Sequence, residues 1–271
     1  MVNIILDLLL ILVIPLGVLG AAIATLIAQA VSAVLVTVTL MYRTEGMKLC
    51  LSQIRMYKRM LQSILKIGLP AGFEAIMYSI SNIIVQVSIN NFGVDTMAAW
   101  TAYSKIDFIF WMINSAFGIS VMTFVGQNYG AGKWDRIRRG TKICLGMALI
   151  SAVSVSIILM SAERFLFGIF VNDAGVVEIG IRMMNVIAPA YLLFAFIEVF
   201  SGALRAQGAV VVSTLITMVG ICVLRMIWVT LVAAHGTLEQ VIICYPITWA
   251  AGALAMSIYY IYKQRKIFQA R

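Results

Sequence analysis

Residues 66 to 93, KIGLPAGFEAIMYSISNIIVQVSINNFG, make an apolar run of membrane length that carries Pro70, Glu74, Asn82 and Gln86 inside it. A hydrocarbon core of roughly 30 Å is crossed by about 20 helical residues. Runs of the same kind cover approximately 1–16, 18–42, 97–125, 141–162, 184–205, 209–233 and 241–262, so the pattern predicts eight spans. The first is short for a crossing and is closed by Pro15 and Gly17, which makes spans one and two a tight helical hairpin. The weaker apolar stretch 164–182 is expected to be a re-entrant or interfacial extension ahead of the sixth span. The alternation of short strands that a membrane barrel requires is absent from the pattern. The expected class is an all-α polytopic membrane protein.

Composition agrees, because 62% hydrophobic and 11% charged residues with a mean hydropathy of +1.01 leave too few polar groups to coat a soluble globule of 271 residues. A net charge of +9 would point to nucleic acid in a soluble protein. Here the basic residues sit at the ends of apolar spans, so the bilayer is the expected partner and nucleic acid is not. Of 20 Lys and Arg residues, six lie in 43–66, five in 126–142, one in 201–208 and four in 263–271. All of these fall on one side if the eight spans cross with both termini in the cytoplasm, which is the arrangement the positive-inside rule selects for a plasma (inner) membrane protein. Segment 43–66 interleaves its basic residues with Leu51, Ile54, Met60, Leu61 and Ile64, as an amphipathic segment in the headgroup region would. The expected organisation is a hairpin over 1–42, a cytoplasmic connector over 43–66, a six-helix unit over 67–262 and a basic tail over 263–271. Cys50, Cys144, Cys222 and Cys244 lack metal-site spacing, and the lone His235 completes no ligand set. No metal and no cofactor are expected.

Residues 5–17 (ILDLLLILVIPLG) and 223–236 (VLRMIWVTLVAAHG) are alike in carrying one charge in an apolar span closed by a glycine turn. Each is followed by a last span ending in Tyr and basic residues. Repeated halves with substrate bound between them are a common transporter design. If spans three to eight are one complete repeat, spans one and two are the last helices of a preceding one, and four helices are expected upstream.

In order and spacing, KIGLPAGFEAIMYSISN (66–82), SKIDFIF (104–110), VGQNYGAGKWDRIRRG (125–140), IEVFSGALRAQG (197–208) and VLRMIW (223–228) resemble the multidrug and toxic compound extrusion (MATE) family, and 3–29 resembles that family's fifth and sixth helices. The resemblance implies a twelve-helix transporter of two six-helix lobes, of which this chain holds the second lobe and the end of the first. It also implies export of organic, often cationic compounds driven by inward Na⁺ or H⁺. Several branches of the family place an essential acid one turn further from the proline, where this chain has Tyr78. Others keep a coupling Asp in a first helix that this sequence does not include.

Acidic groups within a bilayer cost about 2.5 to 3.5 kcal/mol on insertion scales, so each is a candidate for binding a cation or proton. Glu74, Tyr78, Asn82 and Gln86 recur every four residues and form one helix stripe, expected to face a central cavity or to bind helices together. Glu198 sits at a depth similar to Glu74 on another span, so the two are the candidate coupling pair. Lys105 and Asp107 on span four, Arg225 on span seven and Asp7 on span one are expected to form intramembrane charge networks that fix packing, with Asp107 or Glu198 as the counter-charge of Arg225. Met77, Tyr103, Trp111, Met112, Phe194 and Phe196 suit a cavity for flat cations, although most such side chains are expected to face lipid or the core. The function expected is cation-coupled multidrug efflux. The alternatives are a non-transporting remnant, or a split half needing a partner chain. A lipid-linked saccharide flippase is disfavoured because only Lys105 and Arg225 are basic within spans. No HExxH, GxSxG or acidic metal motif suggests an enzyme.

Overall fold

The computed structural model describes residues 1–42, 48–232 and 236–269, so Arg43 of the connector, His235 and Arg271 of the tail lie outside the described residues. Among the described residues, seven helices are long and apolar enough to cross a membrane: α2 (Gly17–Tyr42), α3 (Lys58–Asn90), α4 (Val94–Gly130), α5 (Trp134–Ser161), α7 (Ala174–Ala206), α8 (Val210–Val232) and α9 (Leu238–Ile267). A shorter apolar helix, α1 (Val2–Val13), precedes them, and α6 (Glu163–Gly168) is a short helix after α5. Helix is the only local solution for such runs, because lipid offers no partner to a free N–H or C=O.

Two compact units divide between Leu61 and Gln62. The first contains the α1/α2 hairpin. Gly20 lets the two helices touch, since a Cβ there would lie 2.8 Å from the backbone oxygen of Leu10. Asp7 is half-buried, and its Oδ1 has no hydrogen-bond partner among the described residues. Wide π-type turns follow it over Leu8–Val13, and π-type turns also flank Arg225, over Met218–Val223 and Trp228–Val232. The two hairpins thus share a backbone feature as well as a sequence pattern.

In the second unit α7 is central, packed against α4, α5 and α9. Its start differs from expectation. The Asp173 carboxylate accepts bonds from the amides of Gly175 (2.7 Å) and Val176 (3.1 Å), so a single helical run begins at Ala174. Residues 174–182 are therefore the first turns of the sixth span, and a re-entrant extension is not formed. Glu178 and Arg182, which made this stretch look interfacial, occupy one end of a long helix. Likewise α3 starts at Lys58, so the last part of the predicted connector is already helical.

Where α4 crosses α7 the backbones meet at Gly118 and Gly202: a Cβ on Gly202 would sit 2.8 Å from both the Gly118 carbonyl oxygen and Val121 Cγ1. A second glycine contact joins α8 to α9, with a Cβ on Gly220 placed 3.3 Å from Gly252 Cα. Small residues at such crossings let dispersion and carbonyl contacts hold helices that hydrophobicity cannot drive together in lipid. Helix α3 lacks this kind of packing, as only Ser81, Val85 and Ile89 of its residues are buried.

Gly202→Ala should therefore lower the thermal midpoint of the detergent-solubilised chain, by a stability loss of about 1–3 kcal/mol for a clash with rigid backbone. Gly146→Ala, on open helix surface with nothing within 4 Å, should leave the midpoint unchanged or raise it.

Candidate functional site

Two carboxylate sites lie within the second unit. The first surrounds Asp107 on α4. Its Oδ2 accepts from Trp111 Nε1 at 2.6 Å, one helical turn on, and its Oδ1 accepts a short bond from the Tyr191 hydroxyl of α7. Tyr191 in turn lies 3.1 Å from the Tyr103 hydroxyl and stacks on Phe110 with ring centroids 3.9 Å apart. Asp107 faces a cavity of about 480 Å³ whose walls include Tyr78, Asn82 and Gln86 of α3, Tyr103 and Trp111 of α4, and Tyr245 and Trp249 of α9. Three members of the predicted stripe thus do line one cavity. The donors to Asp107 are neutral hydroxyl and indole groups.

The second site gathers around Glu74. Arg205 Nη2 donates to both of its oxygens, at 2.6 and 2.7 Å, and Thr214 Oγ1 donates to Oε2 at 2.9 Å. Glu74 therefore leaves the stripe's cavity and joins α3 to α7 and α8. Arg205 was expected only as a topological charge in a cytoplasmic turn; it is instead the ion-pair partner of Glu74, with side chains 29% and 15% exposed. Nothing in the sequence pairs residues 131 positions apart.

Glu198, two turns before Arg205 on α7, interacts electrostatically with both Arg205 and Glu74. Among the described residues no hydrogen bond joins it to Glu74, whose carboxylate is held by Arg205. Gly118 provides the room, since a Cβ there would overlap the Glu198 carboxyl. Glu198 also borders a separate cavity of about 490 Å³, of which Phe108 and Trp111 are lining residues too. These two aromatic residues line both cavities and stand as a wall between the Asp107 site and the Glu198 site.

The expected charge network is corrected at Arg225. Arg225 is fully buried, yet neither Asp107 nor Glu198 is its counter-charge. Its Nη1 donates to Asn82 Oδ1 at 3.1 Å, and its guanidinium lies 4.2 Å from the Tyr245 ring centroid and 5.8 Å from that of Tyr78. Nε and Nη2 have no hydrogen-bond partner among the described residues. Lys105 is exposed and borders another cavity with Gln86 and Trp100. Gln86 also bonds along its own helix, Nε2 to Asn90 Oδ1 at 2.8 Å. Of the other aromatic and Met candidates, Met112 borders the Glu198 cavity and Phe194 packs edge-on against Trp111 at 4.6 Å. Phe196 packs near Phe200, and Met77 is half-buried on α3.

A double-mutant cycle on Glu74→Gln and Arg205→Gln, read by thermal unfolding in detergent, should give a coupling of about 1–2 kcal/mol, reduced from the fully buried value by partial exposure. Thr214→Val should destabilise the chain only while Glu74 is present.

Comparison with known proteins gives a consistent result. The MatE family model matches residues 70–231. The chain is 26% identical over 260 residues to a probable multidrug resistance protein, YoeA of Bacillus subtilis, covering 93% of this chain and 56% of the relative. It is 25% identical over 245 residues to the multidrug export protein MepA of Staphylococcus saprophyticus, covering 85% of this chain and 54% of that one. The chain thus spans about half the length of these curated relatives. In fold it is similar to an outward-facing multidrug resistance MATE transporter, with a TM-score of 0.90 at 19% identity over 99% of this chain and 61% of that chain. A family match over more than half the sequence, joined to a bundle of membrane-length helices, places this multi-pass membrane protein in the MATE family, whose members are transporters and not enzymes.

Proposed function

We propose that the chain supplies one lobe of a cation-coupled exporter of small organic cations, exchanged for H⁺ or Na⁺ across the plasma (inner) membrane. The observation that carries this reading is Asp107 set in an aromatic-walled cavity of about 480 Å³. A carboxylate among Trp and Tyr faces attracts a desolvated organic cation by charge and by π contact together, and neither wall group competes as a cation. The named activities of YoeA and MepA, multidrug resistance and export, agree with it.

Coupling is assigned to Glu198. The cluster holds two carboxylates, Glu74 and Glu198, and one guanidinium, Arg205, so one negative charge is left over when all are ionised. Arg205 is committed to Glu74 by its two short bonds. The remaining charge on Glu198 is therefore the one an incoming H⁺ or Na⁺ would neutralise, and the aromatic wall at Trp111 links that event to the Asp107 cavity.

The second reading is a half that works only with another chain, or a remnant that no longer transports. It is favoured by the coverage of about half of each curated relative. Export should be assayed for this chain with and without a co-expressed segment supplying four further helices. In the active form, Asp107→Asn should reduce efflux of a fluorescent organic cation at least tenfold, a loss of about 1.4 kcal/mol or more in transition-state stabilisation. Glu198→Gln should abolish the response of efflux to imposed pH and Na⁺ gradients, whereas Glu74→Gln should lower protein stability and retain that response. Gradient-driven efflux that survives Glu198→Gln sinks the coupling assignment.

The distribution of basic residues supports a cytoplasmic position for both termini. Cys50 is exposed, while Cys222 and Cys244 are buried. A membrane-impermeant maleimide should label Cys50 in inside-out vesicles and leave it unlabelled in intact cells.

A further inference from the structure

Away from both carboxylate sites, α5 and α9 enclose a cavity of about 330 Å³ lined by Arg138, Lys142, Tyr260, Ile261, Gln264 and Arg265. Three of its six lining residues are cationic, and no carboxylate occurs among the described lining residues. A concave site with one sign of charge focuses its potential on whatever occupies it. Such a lining favours an anion.

Two further observations narrow the chemistry. Tyr260 is 8% exposed, and its hydroxyl is buried with no hydrogen-bond partner among the described residues. A buried, unmatched phenol in the wall of a basic pocket is a donor waiting for an acceptor, which is costly to leave unmade. The next turns of the same helices, running into the membrane, expose Ile143 and Met147 on α5 and Leu254 and Ile258 on α9. A basic pocket at one end of two helices with apolar surface below it has the polarity of an amphiphile: anionic head, hydrocarbon tail. A free anion would use only the upper half.

We propose that this pocket holds the headgroup phosphate of an anionic phospholipid, with Lys142, Arg138 and Arg265 around the phosphate oxygens and Tyr260 as a further donor. An arginine fork matches two non-bridging phosphate oxygens, and the ammonium of Lys142 adds a point charge. Basic pockets between transmembrane helices are where such headgroups bind. The site reaches α7 as well: Gln264 Nε2 donates to Gln207 Oε1 at 3.0 Å and Lys263 Nζ to the Gln207 carbonyl at 3.0 Å. A lipid seated here would steady the end of α9 against the turn that follows α7.

The test is titration of the full chain, purified in a neutral detergent, with phosphatidylglycerol or phosphatidylcholine, read by native mass spectrometry and by the shift in thermal midpoint. Phosphatidylglycerol should be retained and should stabilise at concentrations at least tenfold lower than phosphatidylcholine. Lys142→Gln/Arg265→Gln should reduce that preference tenfold or more, and Tyr260→Phe severalfold, whereas Lys133→Gln/Arg136→Gln, outside the pocket, should keep it. Inorganic phosphate and glycerol phosphate at millimolar concentration should give no comparable shift. Equal binding of the two lipids, an unchanged preference in the pocket variants, or an equal loss in the Lys133/Arg136 control overturns the proposal, as does stabilisation by free phosphate matching that of the lipid. Tyr260→Phe removes one oxygen atom and keeps the test decisive if the double variant fails to fold.

Discussion

Glu74 and Arg205 hold α3 to the rest of its lobe. Most of α3 is exposed, and its buried apolar contacts are confined to the end containing Val85 and Ile89. In lipid there is no hydrophobic force to draw an apolar helix onto its neighbours, so packing and interhelical hydrogen bonds must do it, at about 0.6–2 kcal/mol each. At the Glu74 level the helix is fastened to α7 through Arg205 and to α8 through Thr214; two turns later Asn82 reaches Arg225. These polar bonds fix the rotation of α3 about its axis. That rotation is what turns Tyr78, Asn82 and Gln86 into the wall of a cavity.

The same bonds give the intramembrane acids different surroundings. Glu74 is neutralised in place and acts as a fastening. Asp107 is oriented by a tyrosine and a tryptophan at the wall of the cavity. Glu198 is held close enough to feel both the Arg205 guanidinium and the Glu74 carboxylate. One guanidinium between two carboxylates thus distinguishes residues that look equivalent by composition and depth. The crossing at Gly118 and Gly202 is part of this arrangement, because it brings the α4 backbone against the segment of α7 that bears Glu198.

The number and kind of elements were legible in the sequence because lipid forces the hydropathy pattern and the hydrogen-bond pattern to coincide. Boundaries were less so. Glu178 and Arg182 made the start of α7 look interfacial, while the determinant was the cap at Asp173. The stripe on α3 was readable from its four-residue period, but its splitting was not, since Glu74 turns toward a residue 131 positions away that resembled an ordinary turn arginine. Charge complementarity misled at Arg225, whose neighbours proved to be an amide and two aromatic faces. Aromatic rings accept cations without announcing it in a search for acids. The Asp107–Trp111 bond follows helical spacing and was within reach; the role of Tyr191 depends on a helix crossing that no local pattern encodes.

The burial of Arg225 also bears on how the chain is assembled in the membrane. Helix α8 has a mean hydropathy of 2.3 over its most apolar window, enough to enter the bilayer despite one guanidinium. Its hydrogen-bond acceptor, Asn82, is synthesised long before it, but the Tyr245 ring lies on α9, which follows α8 in the chain. During translation Arg225 must therefore first find α3 and only afterwards be covered from the other side. Helix α9 completes the shielding of a charge already inside the membrane, so its absence would leave the guanidinium uncovered on the Tyr245 side.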